Sequence, residues 1–195
     1  MNQNTKSISR SFNFQPTLKG SHVEVRPLLD SDQEALYSVA ADPLIWEQHP
    51  SNRYKREEFD IFFTESLASG GALLIIDAGT HAVIGTSRYH GYSKENNCVE
   101  IGWTFLGRSH WGGKYNGDLK LLMLSHAFEF VDTVIFYIDP DNGRSQKSVE
   151  KIGDVRDREL DTKGRVVFRM EKSKFSNKRL PHNKALQTDA AKPRR

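Results

Sequence analysis

The chain is poor in residues that staple a fold or hold a metal. One cysteine, Cys98, stands among 195 residues. That excludes a disulfide framework and a thiolate-rich metal site, and it leaves Cys98 the expected role of a small residue packed in a strand. His110 and His126 have no second ligand four positions on, so no metal is expected. Long hydrophobic runs are lacking too: nothing approaches the roughly 18 to 20 apolar residues needed to span a bilayer. The opening, MNQNTKSISRSFNF, has no apolar centre of a secretory signal. The expectation is therefore a cytoplasmic protein with no membrane partner. Neither a G-x-x-x-x-G-K-[ST] loop nor G-x-G-x-x-G after a first strand occurs, which argues against a kinase or a dinucleotide oxidoreductase. No repeat or low-complexity tract is present.

Charge of one sign is lacking in the body of the chain. The formal net charge is +3, but Lys172 to Arg195 holds eight Lys/Arg against one acid, and Met1 to Ser21 holds three against none. The remainder, His22 to Glu171, carries seventeen bases and twenty-four acids, a formal −7. A nucleic-acid partner is therefore not expected, and an acidic body mildly favours a cationic amine or basic peptide end. The composition divides the chain into a flexible N-terminal segment, residues 1–17, a single domain, residues 18–172, and a disordered basic tail, residues 173–195.

What is present is an alternation of strands and helices. HVEVRPLL alternates apolar and polar residues and predicts a strand from Val23 to Leu28. Asp30 or Ser31 caps a helix whose apolar face is Leu36, Val39 and Ala40, stopped by Pro43. A second helix runs from Lys55 or Arg56 to about Ser69 on a stripe of Phe59, Phe62, Phe63 and Leu67, with a loop or short helix in PLIWEQHPSNR before it. ALLIID, Ala82 to His90 and Asn97 to Phe105 form three antiparallel strands. A helix from about Asn116 or Gly117 to Phe130, the apolar strand TVIFYI, the helix NGRSQKSVEKIG and a hairpin turning at Lys163-Gly164 complete the chain. The order β-α-α-β-β-β-α-β-α-β-β predicts an α/β mixed sheet.

The stretch RSHWGGKYNGDLKLLMLSHAFEF, Arg108 to Phe130, places three glycines between a strand and the mouth of a long helix. Such a junction offers unpaired backbone N–H groups and the positive end of the helix dipole, which suit an anion and above all a phosphate. The same glycines also serve to relax a tight turn. Lys114 either adds a cation or is solvated. Asn142 is either the N-cap of the following helix or a ligand contact.

EIGWTF, then this glycine stretch, then a short strand, then DPDNGRSQKSVEKIGDV, resembles the GCN5-related N-acetyltransferases (GNAT), in the branch similar to ribosomal-protein N-terminal acetyltransferases. The likeness covers about Leu18 to Glu171. It implies a GNAT-like, mostly antiparallel twisted sheet of six to seven strands flanked by about four helices. It implies acetyl-coenzyme A as cosubstrate, with its pyrophosphate on the backbone of Gly112, Gly113, Lys114, Tyr115, Asn116 and Gly117. The pantetheine arm would lie between splayed strands against the backbone of Ile101, Trp103 and Phe105, with Asn142 and Ser145 matching the family's Asn-x-x-Ser.

The activity so implied is transfer of an acetyl group to a primary amine, a protein N-terminus or a small molecule, by direct attack in a ternary complex. An amine must lose a proton, and a leaving thiolate must gain one. Glu100 is the expected base, and Ser145 the expected acid, because the family's tyrosine in the last helix falls on Val149. Trp46, His49, Tyr89 and Trp103 are expected to line the acceptor pocket. The alternative is a non-catalytic acetyl-CoA-binding module of the same fold. A homodimer is compatible with either reading.

Overall fold

The computed structural model describes residues 11–153, 155–158, 161 and 164–175. Eight strands form one sheet among them: β1 Leu18–Lys19, β2 Val23–Pro27, β3 Ala72–Asp77, β4 Val83–Ser93, β5 Cys98–Leu106, β6 Thr133–Ile138, β7 Val155–Arg156 and β8 Val166–Glu171. The sheet order is β1-β2-β3-β4-β5-β6-β8-β7. Every neighbouring pair is antiparallel except β5 and β6, which run parallel across the intervening helix. The strand count exceeds the expected six to seven because Leu18 and Lys19 pair back on Val25 and Glu24, a bridge too short to leave a periodic signal.

Among the described residues four α-helices cover the sheet: α1 Gln33–Ala40, α2 Arg56–Ala68, α3 Lys114–Ala127 and α4 Gly143–Glu150. On one face Leu36 and Ala40 of α1 and Phe59, Phe62 and Phe63 of α2 pack on Leu74 and Phe105. On the other, Leu119, Met123 and Ala127 of α3 and Val149 of α4 pack on Val23, Ile75, Ile101 and Phe136. The phenylalanine stripe read from the sequence is thus the buried face of α2, and burying each ring contributes about 2 kcal/mol.

Part of the segment 1–17 packs on the domain. Phe12 is buried and stacks on Tyr92, with edge contacts to Tyr89 and Phe130. Residues 1–10 lie outside the described residues, as do the tail from 176 onward and residue 163 of the expected hairpin turn. Among the described residues no helix is long and apolar enough to cross a membrane. Cys98 is only half-buried at the start of β5.

Candidate functional site

β5 and β6 pair at Cys98–Thr133, Val99–Val134 and Glu100–Ile135, and no pairing joins them beyond that point. Each strand continues with its other neighbour, β5 with β4 to Leu106 and β6 with β8 to Ile138. The two strands therefore part after Glu100 and open a cleft in the middle of the sheet. Lys120 of α3 lies against this opening, its Nζ 3.5 Å from Thr104 Oγ1 on β5 and 4.5 Å from the ring centre of Phe136 on β6. Sequence reading passed over Lys120, although a lysine inside the apolar run DLKLLML is a signal that the run faces something other than oil.

A bulge shapes the β5 side. Thr86 pairs with Phe105 but Arg88 pairs with Gly102, so β5 holds one residue more than β4 over this interval. Trp103 takes up the excess with φ at +51°, left-handed backbone that a bulky L-residue rarely adopts. The alternation of side chains resets there. Ile101 packs in the α3-side core, whereas Trp103 and Phe105 pack on the α1–α2 side. Regular alternation therefore holds only up to the bulge, and the side chains of Ile101, Trp103 and Phe105, whose backbone is the expected cofactor contact, do not share one face. The glycine before Trp103 was the available signal, since glycine inside a strand often marks a bulge.

α3 starts earlier than the sequence predicts. Gly113 is its N-cap and Lys114 its first residue; Gly112 and Gly113 have φ of +88° and +155°, conformations only glycine takes without strain. Tertiary contacts hold this first turn. Asn116 Nδ2 donates to Ser148 Oγ on α4 at 2.5 Å. The Tyr115 hydroxyl and His110 bear on the Asp77 carboxylate, which also accepts the N–H groups of Gly79 and Thr80. Together these donors hold the Asp77 carboxyl down at about 2.

Among the described residues no acceptor meets the backbone N–H groups of Gly112 to Asn116. Gly117 differs: its N–H donates to Gly113 O at 3.0 Å, so it is corrected from anion donor to helix interior. A Cβ on Gly112, Gly113 or Gly117 would meet nothing within 4 Å. Free amides, a helix N-terminus and open space beside glycine fit a diphosphate-bearing ligand. Lys114 is exposed, its Nζ 5.1 Å from the Tyr115 ring centre.

α4 closes the other side. Asn142 Oδ1 accepts the N–H of Ser145 at 3.0 Å, which makes Asn142 the N-cap. The Ser145 hydroxyl makes no hydrogen bond among the described residues, and no bond links it to Glu100. Arg144 lies 4.3 Å over Trp111 and donates to Ile45 O at 3.1 Å, while Trp111 Nε1 donates to Leu106 O. The glycine loop, α4 and the segment after α1 thus converge at the cleft mouth.

The acceptor-pocket expectations divide. Trp46 is buried, with Nε1 donated to Ala40 O at 2.8 Å and its ring against Phe105. His49 packs on Trp46, and burial with the Arg53 charge pushes its imidazole down to about 4, so it is neutral at physiological pH. Tyr89 is corrected: it is 1% exposed, faces α3, and donates its hydroxyl to Met123 O at 2.7 Å, so it belongs to the core. Glu100 is half-buried, and burial raises its carboxyl above the ordinary range against the pull of Arg165 and Arg88. A shallow cavity of about 610 Å³ opens elsewhere, beside the ion pair of Asp42 with Arg108, and includes neither Glu100 nor Ser145.

The chain matches the family model of the acetyltransferase (GNAT) domain over residues 22–154. No protein of curated function matches it. Among solved structures it is similar to a GCN5-related N-acetyltransferase from Brucella melitensis, at 17% identity and a TM-score of 0.71 over 82% of this chain and 80% of that one. A GNAT-family acetyltransferase from Bacillus anthracis is 18% identical with a TM-score of 0.68 over 81% of this chain and 99% of that one. A Vibrio cholerae protein named by inference as a ribosomal-protein-serine acetyltransferase is 15% identical with a TM-score of 0.65, over 80% and 97% of the two chains. At these identities the solved structures speak for the fold. Among the described residues no group of three or more His, Cys, Asp or Glu side chains is placed to hold a metal.

Proposed function

The chain belongs to the GNAT acetyltransferase family, and on that premise we propose that it is an acetyl-coenzyme A-dependent N-acetyltransferase acting on a primary amine, a protein N-terminus or a small molecule. The observation that carries this reading is the parting of β5 from β6 after Glu100 beneath the free amides of Gly112 to Asn116. A diphosphate would rest on those amides, with the thioester end led into the cleft along the unpaired edge of β5.

Glu100 takes a proton from the amine, directly or through water, and its raised carboxyl is a stronger base than an exposed one. The amine nitrogen bonds to the thioester carbonyl carbon, the carbon–sulfur bond breaks, and the proton shed by the acylated nitrogen passes through the Ser145 hydroxyl to the leaving thiolate, leaving the hydroxyl as it began. The unpaired backbone of β5 beyond Glu100 supplies donors for the transient oxyanion. Val149, in the family's tyrosine position, is buried and has no proton to give.

The test is release of free thiol from acetyl-coenzyme A across a panel of amines, with calorimetry of coenzyme A binding alongside. Amine-dependent release, lost in Glu100→Gln and reduced in Ser145→Ala while coenzyme A still binds, is the expected result. Binding without turnover on any amine overturns it and leaves the non-catalytic module.

A further inference from the structure

Two guanidinium groups occupy the α2 side of the sheet, and neither has a carboxylate partner among the described residues. Arg88 on β4 is only 6% exposed. Its Nη2 donates to Ser66 Oγ at 2.5 Å, and its guanidinium carbon lies 4.5 Å over the Trp103 ring. Its Nε is buried with no partner among the described residues. Arg53, just before α2, lies 4.2 Å over the Phe62 ring and 5.4 Å from that of Trp46, and makes no hydrogen bond or ion pair among the described residues. Phe62 and Ser66 are one turn apart on α2, joined by the bond from Ser66 Oγ to Phe62 O. The two cations therefore hang from one face of one helix. Burial lowers the pKa of both, to about 10 for Arg53, whose proton the Arg88 charge weakens further. Glu65 and Glu58 act on Arg53 and Glu65 and Glu100 on Arg88 in the opposite sense, all beyond ion-pair distance, and Glu65 is exposed.

A buried and a partly buried like charge repel and are short of solvation, an arrangement that an anion would complete. Its place in the sheet says which anion. Arg88 pairs with Gly102, and the next pair out on the same strands is His90 with Glu100 beyond Tyr89 with Ile101. Arg88, Trp103 and Glu100 thus share the face opposite α3, with aromatic walls from Trp46, Phe62 and Trp103.

We propose that Arg53 and Arg88 form an anion subsite of the acceptor pocket, and that the acceptor is a primary amine carrying a carboxylate, which the two guanidiniums hold while the amine meets Glu100. The planar fork of a guanidinium matches a carboxylate, and Nε of Arg88, buried without a partner among the described residues, is the donor still unmet. This reading rests on the acetyl-transfer function and reverses what the acidic body alone suggests.

The test is calorimetry on protein saturated with coenzyme A, using paired probes that differ by one anionic group: L-phenylalanine and phenethylamine, L-leucine and 3-methylbutylamine, phosphoethanolamine and ethanolamine. Each amino acid is expected to bind at least about tenfold more tightly than its decarboxylated twin, as a charge-assisted bond supplies. Arg53→Gln, at the less buried position, and Arg88→Lys, which keeps the charge and loses the fork, should both collapse the preference to within about twofold. Unchanged coenzyme A affinity shows that the variants are folded. Equal binding of the twins, no binding by any probe, preference for the phosphate pair alone, or preference that survives both substitutions overturns the proposal. Thiol release judges acetyl transfer separately: carboxylate preference without turnover removes the enzyme and leaves the subsite.

Discussion

Ile101 and Trp103 stand two positions apart on β5 and face opposite sides of the sheet, Ile101 toward α3 and Trp103 beneath the Arg88 guanidinium. A regular strand would put both on one side. The bulge between them aims an aromatic ring and the following Phe105 at the pocket face, just where the strand leaves its parallel neighbour.

If the left-handed backbone at Trp103 is strained, Trp103→Gly should be more stable than Trp103→Ala by about 1 kcal/mol. In an ordinary strand the order is the reverse. Urea denaturation of the two variants decides it, and an alanine variant equal or superior to glycine would show that no strain is stored there.

Gly112→Ala and Gly113→Ala should each weaken coenzyme A binding about tenfold or more, because φ of +88° and +155° is closed to alanine. Gly117→Ala should instead raise stability by about 0.5 to 1 kcal/mol, since this glycine is inside α3 with open space around it. Calorimetry and thermal melts separate the two effects.

Glu100→Gln should lower turnover about 10²- to 10⁴-fold, the usual worth of a positioned base. In the wild type, kcat/KM should rise with pH through an acid limb above the ordinary carboxylate value, and the variant should lack that limb. The stability effect has the opposite sign. A carboxyl raised in the folded state favours folding at low pH and loses that advantage as pH rises through the raised value. Glu100→Gln should therefore melt higher than wild type at neutral pH.

Asp77 ties the β3–β4 turn to His110 and Tyr115 at the head of α3. Its carboxyl is held at about 2 against an ordinary 3.8, so its contribution is complete above the ordinary value and disappears as pH falls toward 2. Acid titration of Asp77→Asn should show a flatter loss of stability in that window, together with weaker coenzyme A binding at neutral pH. An unchanged acid limb would refute the anchor.

Tyr89→Phe should cost about 1 kcal/mol, the worth of its hydrogen bond to Met123 O. The acceptor KM should stay at the wild-type value, which steady-state kinetics would check; a raised KM would return Tyr89 to the pocket.

The elements with strong periodicity were legible. Phe59, Phe62 and Phe63 lie on the buried face of α2, and TVIFYI forms a strand with the bounds the apolar run suggested. The glycine loop was legible as the junction between a strand and a helix mouth, but the helix starts at Lys114, ahead of the expected Asn116 or Gly117, because Gly113 caps it. Arg53 and Arg88 left no trace in the sequence, since an arginine beside an aromatic is as common on a solvated surface as in a pocket.

Local pattern by itself determined an α/β mixed sheet, the order of its strands and helices and the flexible donor-rich loop, because period, turn chemistry and backbone freedom act over a few neighbouring residues, while the family came from the resemblance of its motifs. Where β5 leaves β6, which side Trp103 faces, that Tyr89 sits in the core, and that two guanidiniums hang together from α2 were decided only by the tertiary structure. Those features depend on strand register and on side chains far apart in the chain meeting across the sheet, and register passes from one strand to the next without a local mark.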